Sequence, residues 1–325
     1  MEKEMTDDGM IIRRVEAEEF GRVFPKGCTH LFNSMEFAQL NAAKCDAVHY
    51  LLCGDGRKWR MGMILGERGG RLLSPFSAPF GGFTYNKDQT VEVVEACAAL
   101  VADYGRGLGK SVEIFLPPGF YDEAMLAKVE CALVRRGRLM YADLNYHYDL
   151  RGITEANWQE VTASRMNQKA RRKMRDAMAM EATVELLDCA RRADVERMYA
   201  VIAANRAWKG YPLRMTLDDV ARTVALAEAE MIVMTLGGRD VAAALVYRVA
   251  QGVMQVVYWG DVPGCDGMNV MHRFAPEVFR ICAGMGAKIL DIGPSSEGGV
   301  PSEGLCFFKE SIGCTPRLKP RIVIN

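Results

Sequence analysis

The chain has 325 residues, half of them hydrophobic, so it can bury a large core in two domains or in one double-layered one. Its 41 basic and 41 acidic side chains cancel, which excludes a whole-molecule attraction to DNA or to an anionic membrane. Ten scattered cysteines without a Cys-x-x-Cys pair, and only four histidines, argue against a structural metal and for thiols kept in a reducing compartment.

The opening MEKEMTDDGM is charged and lacks the apolar core of a signal peptide. No apolar run approaches the ~20 residues that cross a bilayer, so the expected location is cytoplasmic. A strand over Met10 to Glu16 leads to a helix from Ser34 to about Lys44, capped by Asn33 or Ser34. Strands at Val48 to Cys53, Trp59 to Gly66 and Arg71 to Ser74, separated by glycine turns, form an antiparallel meander. The loop SPFSAPFGGF (Ser74 to Phe83) ends it. A helix over Thr90 to Tyr104, a strand over Ser111 to Leu116, a helix over Asp122 to Arg136 and a strand over Tyr141 to Leu150 complete this half.

The second half repeats the pattern, with strands at Met231 to Leu236, Val241 to Val249 and Val253 to Trp259 divided by glycine turns. A Gly/Pro/Asp loop (Gly260 to Gly267), a helix from Asn269 to Cys282 and a strand over Lys288 to Ile292 follow. The shared order of turns points to two copies of one α/β unit, with a boundary near Arg151 to Asn157. Strand, glycine-bearing loop and helix N-terminus in succession suit an anion, because the first turn of a helix leaves backbone N–H groups unpaired. Cys265, Asp266, Gly267, Met268, Asn269 and Val270 are therefore the candidate cofactor-binding residues; the same segment also serves as a βαβ connection that binds nothing.

Between the copies, Met166, Ala170, Met174 and Ala177 form an apolar stripe at helical spacing, and basic side chains occupy the rest of the turn. Arg171, Arg172 and Arg175 face either a phosphorylated acceptor or plain solvent. Helices at Asp194 to Arg206 and Thr216 to Ala229 flank the loop Trp208-Lys209-Gly210-Tyr211-Pro212, where Trp208 and Tyr211 make a lid or a packed corner. Near the C-terminus, Phe308-Lys309-Glu310-Ser311-Ile312-Gly313 sets one lysine between aromatics and a glycine turn.

The doubled unit, the R-R-K-M-R run, the Y-W-G strand end and the FFKESIG block resemble the FemAB-like branch of the GNAT acyltransferase superfamily. The likeness is strongest from Ser164 to Gly313. It implies an α/β (α+β mixed) protein with tandem GNAT-like domains, each a mixed, mostly antiparallel sheet flanked by helices. The expected domains are residues 1–152 and 153–325, the second carrying the cleft and the first a wall of it through SPFSAPFGGF. It implies acyl transfer from a thioester or an aminoacyl-tRNA to an amine, with acetyl-CoA or another acyl-CoA as co-substrate and a peptide or cell-wall precursor as acceptor. Lys309 matches the family's motif lysine close to the reacting carbonyl. The usual pyrophosphate loop of Arg/Gln-x-x-Gly-x-Gly/Ala is replaced by Val262-Pro263-Gly264-Cys265-Asp266-Gly267, and no long charged helical insertion is present. A binding protein for a sugar nucleotide or peptide on the same fold stays open.

Chemistry assigns roles independently. The Lys309 ammonium, desolvated by Phe307 and Phe308, either stabilises a tetrahedral oxyanion or snorkels to the surface. Asp261 takes a proton from the acceptor ammonium or bonds its own turn. Tyr258 donates to the leaving group or packs in the core. His272, in the first turn of its helix, is held neutral there or packs.

Overall fold

The computed structural model describes residues 9–265 and 267–325, so the start of the MEKEMTDDGM stretch and Asp266 lie outside the described residues. The chain divides into two compact units. Unit 1 takes residues up to Leu144 with Gly298–Val300 and Arg317–Asn325; unit 2 takes Asn145–Glu297 and Pro301–Pro316.

Unit 1 contains β1 (Ile11–Val15), α1 (Ala17–Val23), α2 (Met35–Leu40), β2 (Ala47–Gly54), β3 (Trp59–Arg68), β4 (Arg71–Ser74), the two-residue β5 (Phe83–Thr84), α3 (Val91–Gly107), β6 (Val112–Phe115) and α4 (Glu123–Arg136). The β2–β3 hairpin turns where the Asp55 carboxylate accepts the amides of Arg57 (2.9 Å) and Lys58 (2.7 Å), with Gly56 at φ +80°, which a side chain would resist. β4 and β6 run parallel, so the chain between them must cross over, and α3 is that crossover. Its inner face (Val94, Cys97, Ala98, Val101) packs on Leu51, Met61, Met63, Leu72 and Ile114 of the strands. The sheet closes with residues from the other end of the sequence. β15 (Thr315–Ile324) lies antiparallel to β6, with Arg321 opposite Phe115, and Arg321 and Arg71 both pair with the buried Glu113 carboxylate.

β7 (Gly137–Asp149) passes from one unit to the next. Unit 2 continues with α5 (Trp158–Arg165), α6 (Gln168–Met178), β8 (Ala182–Leu187), α7 (Arg192–Lys209), α8 (Leu217–Leu226), β9 (Ala229–Leu236), β10 (Arg239–Ala250), β11 (Val253–Asp261), α9 (Val270–Gly284), β12 (Ile289–Pro294), the two-residue β13 (Ser296–Glu297) and α10 (Glu303–Ser311); the two-residue β14 (Val300–Pro301) lies where the chain returns from unit 1 to unit 2. Its strands lie in the order β7-β12-β11-β10-β9-β8; all neighbours are antiparallel except β11 and β12, which α9 connects. Ala170, Met174 and Ala177 form the buried stripe of α6, as their spacing predicts, whereas Met166, also buried, precedes α6 and ends α5. Arg273 of α9 donates to the carbonyls of Ala177, Met180 and Ala182, satisfying the C-terminal end that α6 leaves open.

Five helices and strands depart from the sequence reading, α1 among them, which forms where no element is predicted. The FFKESIG block is helical: α10 runs through it and stops at Gly313, whose φ of +90° ends the turn. Successive helical positions point about 100° apart, so the two phenylalanines do not sandwich Lys309. Phe307 is 60% exposed, and only Phe308 packs inward. α5, β8 and β15 fall where no element is predicted. Among the described residues, no helix is long and apolar enough to cross a membrane.

Candidate functional site

The parallel pair in unit 2 comes apart part-way along. β11 and β12 are joined through Val253–Ile289, Met254–Leu290 and Gln255–Asp291, where the ladder between them ends. Both strands continue, β11 to Asp261 still paired with Ala242 of β10, and β12 to Pro294 still paired with Asn145 of β7. Each limb of the fork keeps its outer neighbour and loses its inner one. Beyond Gln255 and Asp291 the two strands no longer bond each other, and the main-chain groups there must find other partners.

A buried polar row fixes the vertex. The Asp291 carboxylate, fully buried, accepts from Asn145 Nδ2 (2.7 Å), Gln255 Nε2 (2.7 Å) and its own chain at Gly293 N (2.8 Å). The two carboxylate oxygens accept all three donors, and the row ties β7, β12 and β11 together just below the fork. Beyond it β12 is irregular. Its register with β7 shifts between Asp291 and Gly293, and Gly293 takes φ +76°. The carbonyls of Gly293 and Pro294 both accept from Lys309 Nζ, at 2.8 and 3.0 Å. That ammonium is 4% exposed and lies 5.4 Å from the Tyr146 ring, whose hydroxyl donates to Glu310 Oε1 at 2.7 Å.

Alternation along β11 sends its free limb's side chains to two faces. Tyr258 and Gly260 face α7. A Cβ on Gly260 would come within 2.4 Å of the Asn205 side chain, so glycine is what lets α7 approach. Here stands a residue the sequence reading passed over. Arg206 lies over Tyr258 (5.4 Å) and Tyr211 (5.9 Å), its Nε is buried without a partner, and no carboxylate among the described residues neutralises it. Burial lowers its pKa, and only the two tyrosines oppose that. The signal was available: on a helix, no acid stands three or four positions from Arg206 in either direction. Tyr258 accepts from Met215 N at 3.3 Å, and burial raises its pKa, so the phenol stays protonated. Trp208 and Tyr211 are both about 40% exposed at the end of α7, with Lys209 Nζ 3.7 Å over the Trp208 ring.

The other face carries Trp259, which meets the Phe308 ring edge-on, and Phe308 in turn meets His272. Burial, with the charge of Lys173, lowers the His272 pKa to about 4, so this imidazole is neutral near pH 7. Lys173 is thus the basic residue of α6 that is felt at the site. Arg171 instead donates to the carbonyls of Ala163 (3.0 Å) and Met166 (3.2 Å) in its own helical corner, Arg172 reaches Asp176 at 4.0 Å, and Arg175 is exposed. Asp261 ends β11 with its carbonyl accepting from Asn205 Nδ2 (2.7 Å); the alternation puts its side chain on the face opposite Tyr258.

The loop before α9 turns on Gly264 (φ +85°) and Gly267 (φ +82°) and enters the helix through Asn269 at φ +57°. Among the described residues, no side chain caps that N-terminus. Cys265 and Val270 are buried, whereas Met268 is exposed. The loop candidates, Asp266 aside, thus lie around an uncapped helix start, whose amides suit an anion. Among the described residues, no group of three or more His, Cys, Asp or Glu side chains is placed to hold a metal ion.

No protein-family model matches the sequence, and no curated protein matches it either. Solved structures do. FemX superposes with a TM-score of 0.64 at 11% identity, covering 97% of both chains. The C-terminal domain of an Agrobacterium fabrum protein described as a lysylphosphatidylglycerol synthetase gives 0.61 at 10% identity, over 95% of this chain and 92% of that one. The L-PGS of Bacillus licheniformis gives 0.57 at 16%, over 94% and 90%. At such identities the likeness is one of fold. The chain has the mixed α/β fold of FemX and of these synthetase domains, the fold expected from the resemblance of its FFKESIG block.

Proposed function

We propose that the protein transfers an acyl or aminoacyl group from an activated, phosphate-bearing donor to an amine on an anionic acceptor. The observation that carries this reading is the parting of β11 from β12 beyond Gln255 and Asp291. An extended donor arm laid in the gap can bond the main-chain groups that the strands no longer offer each other, which aligns its carbonyl before reaction. As the amine attacks, the carbonyl oxygen becomes an oxyanion, and N–H groups fixed on the β11 limb stabilise it without reorganising. The donor's phosphates rest at the uncapped start of α9, contributed by Cys265 to Val270.

The acceptor enters from the α7 face, where Arg206 holds a phosphate or carboxylate and Trp208 and Tyr211 cover apolar parts. Such an acceptor fits a peptide or a cell-wall precursor. Asp261 takes the proton that the amine loses, and Tyr258 supplies one to the departing thiol or hydroxyl. The proton that Asp261 takes passes to solvent, and solvent returns one to the Tyr258 phenolate, which resets both groups. Of the two donor types, an acyl-CoA and an aminoacyl-tRNA share this chemistry, and binding separates them. CoA at 100 times its Kd raises stability by about 2.7 kcal/mol, as would charged tRNA at the same ratio if that is the donor. Mass spectrometry of amine acceptors incubated with the donor that binds then reads the transfer. A protein whose melting temperature moves with neither has no donor site, and the proposal fails.

A further inference from the structure

We infer that Lys309 is a positioning residue that holds the fork open by seizing two consecutive carbonyls of β12, and that it acts on a ligand only through that backbone. Along a regular strand, successive carbonyls point to opposite sides. Those of Gly293 and Pro294 instead converge on one ammonium, at 2.8 and 3.0 Å. The chain can do this because of the register shift after Asp291 and the φ of +76° at Gly293. It is held there because a lysine cation 4% exposed needs its donors satisfied. Moving β12 back into register with β11 would strip both carbonyls from the ammonium at once. The side chain thus locks β12 away from β11 just where the ladder ends. Two of its three N–H donors point at main chain, and the Tyr146 ring lies beside it. An oxyanion-stabilising cation needs its donors aimed at the position the oxyanion will occupy.

The inference rests on the fork being the ligand site, and the experiment separates the two ideas. Lys309→Gln removes the double clamp. Gly293→Ala disturbs the same corner while leaving the charge, since its φ is unfavourable to alanine although no atom lies within 4 Å of the new Cβ. Amide hydrogen exchange on the ligand-free proteins should show residues 293–297, Pro294 apart, losing about tenfold or more of their protection in both variants, with the α3 and β9 amides unchanged. CoA titration of the same proteins should weaken about tenfold in both, and any acyl transfer should lose kcat and donor affinity together. Should Lys309→Gln fail to fold, Gly293→Ala alone decides, because it disables the corner with the cation still present. Unchanged exchange at 293–297 overturns the inference. So does a Gly293→Ala protein with full CoA affinity beside a Lys309→Gln protein with normal exchange and lost turnover. If CoA does not bind the unsubstituted protein, the acyl-CoA reading fails, and the exchange arm still judges the clamp.

Discussion

Replacing Arg206 with methionine tests the site most directly, because ligand binding and stability should move in opposite directions. In the free protein the guanidinium is half-buried with an unpartnered Nε and no acid beside it. Leaving such a donor unpaired costs about 1–3 kcal/mol. Against that stand the two ring contacts at 5.4 and 5.9 Å, each worth about 0.5–1 kcal/mol where partly exposed. The terms nearly cancel, and methionine keeps the unbranched stem that packs between the tyrosines. Arg206→Met should therefore melt within about 1 kcal/mol of the parent, on the stable side if the orphaned donor dominates. A bound anion contacts the guanidinium through charge-assisted hydrogen bonds worth about 1.5–3 kcal/mol, so affinity should fall about 10- to 150-fold. Calorimetric titration with pyrophosphate and with whichever anionic acceptor binds, alongside urea denaturation of both proteins, gives the two numbers. Loss of more than about 2 kcal/mol of stability with unchanged affinity would show Arg206 to be a packing residue.

Asp291→Ala should cost at least about 3 kcal/mol in urea denaturation, since it strands the Asn145 and Gln255 amides and the Gly293 N–H in the interior. Gly313→Ala should lower stability by about 1–3 kcal/mol: its φ is +90°, and a Cβ would lie 2.9 Å from the Arg165 Cβ. His30 is buried beside Phe80, and burial lowers its pKa from 6.5 to about 3, so the unfolded chain binds its proton first as pH falls. The stability it contributes is complete above pH 6.5 and drains away down to pH 3, by at most about 4–5 kcal/mol; the pH dependence of unfolding should flatten accordingly in His30→Phe. Arg171→Gln, which loses two carbonyl contacts, should lower the melting temperature more than Arg175→Gln, whose side chain is exposed.

Periodicity made most elements of both units legible, because the α6 stripe and the glycine-bounded strands bury what their patterns say they bury. What escaped is non-local. β15 carries Pro316 and Pro320, which read as loop. Its place in a sheet comes from pairing with β6, and the Pro320 carbonyl still serves by accepting from Leu116 N. β8 is an edge strand with only Leu187 buried, so little apolar pattern marks it. The loop before Asn269 shows in the sequence as a glycine turn opening a helix, but the fork beside it depends on where β12 leaves β11, and that register is set by β7 and by Lys309. Trp208 and Tyr211 drew notice through their aromatic character, while Arg206 is significant for the partner it lacks. Local sequence shows a missing acid only when helical spacing is checked for one.

Closing unit 1 with β15 has a consequence in time. Glu113 and Arg321, joined in the folded protein, are 208 positions apart in sequence. At ~5–20 residues per second, a ribosome needs ~10–40 seconds to travel between them. Throughout that interval β6 has β4 on one side and an unpaired edge on the other, the kind of edge that recruits foreign strands. Folding of unit 1 therefore waits on a segment made 208 residues later, with unit 2 synthesised in between. A nascent chain stalled after residue 300 would expose that edge indefinitely, which makes it the natural point for a chaperone to hold.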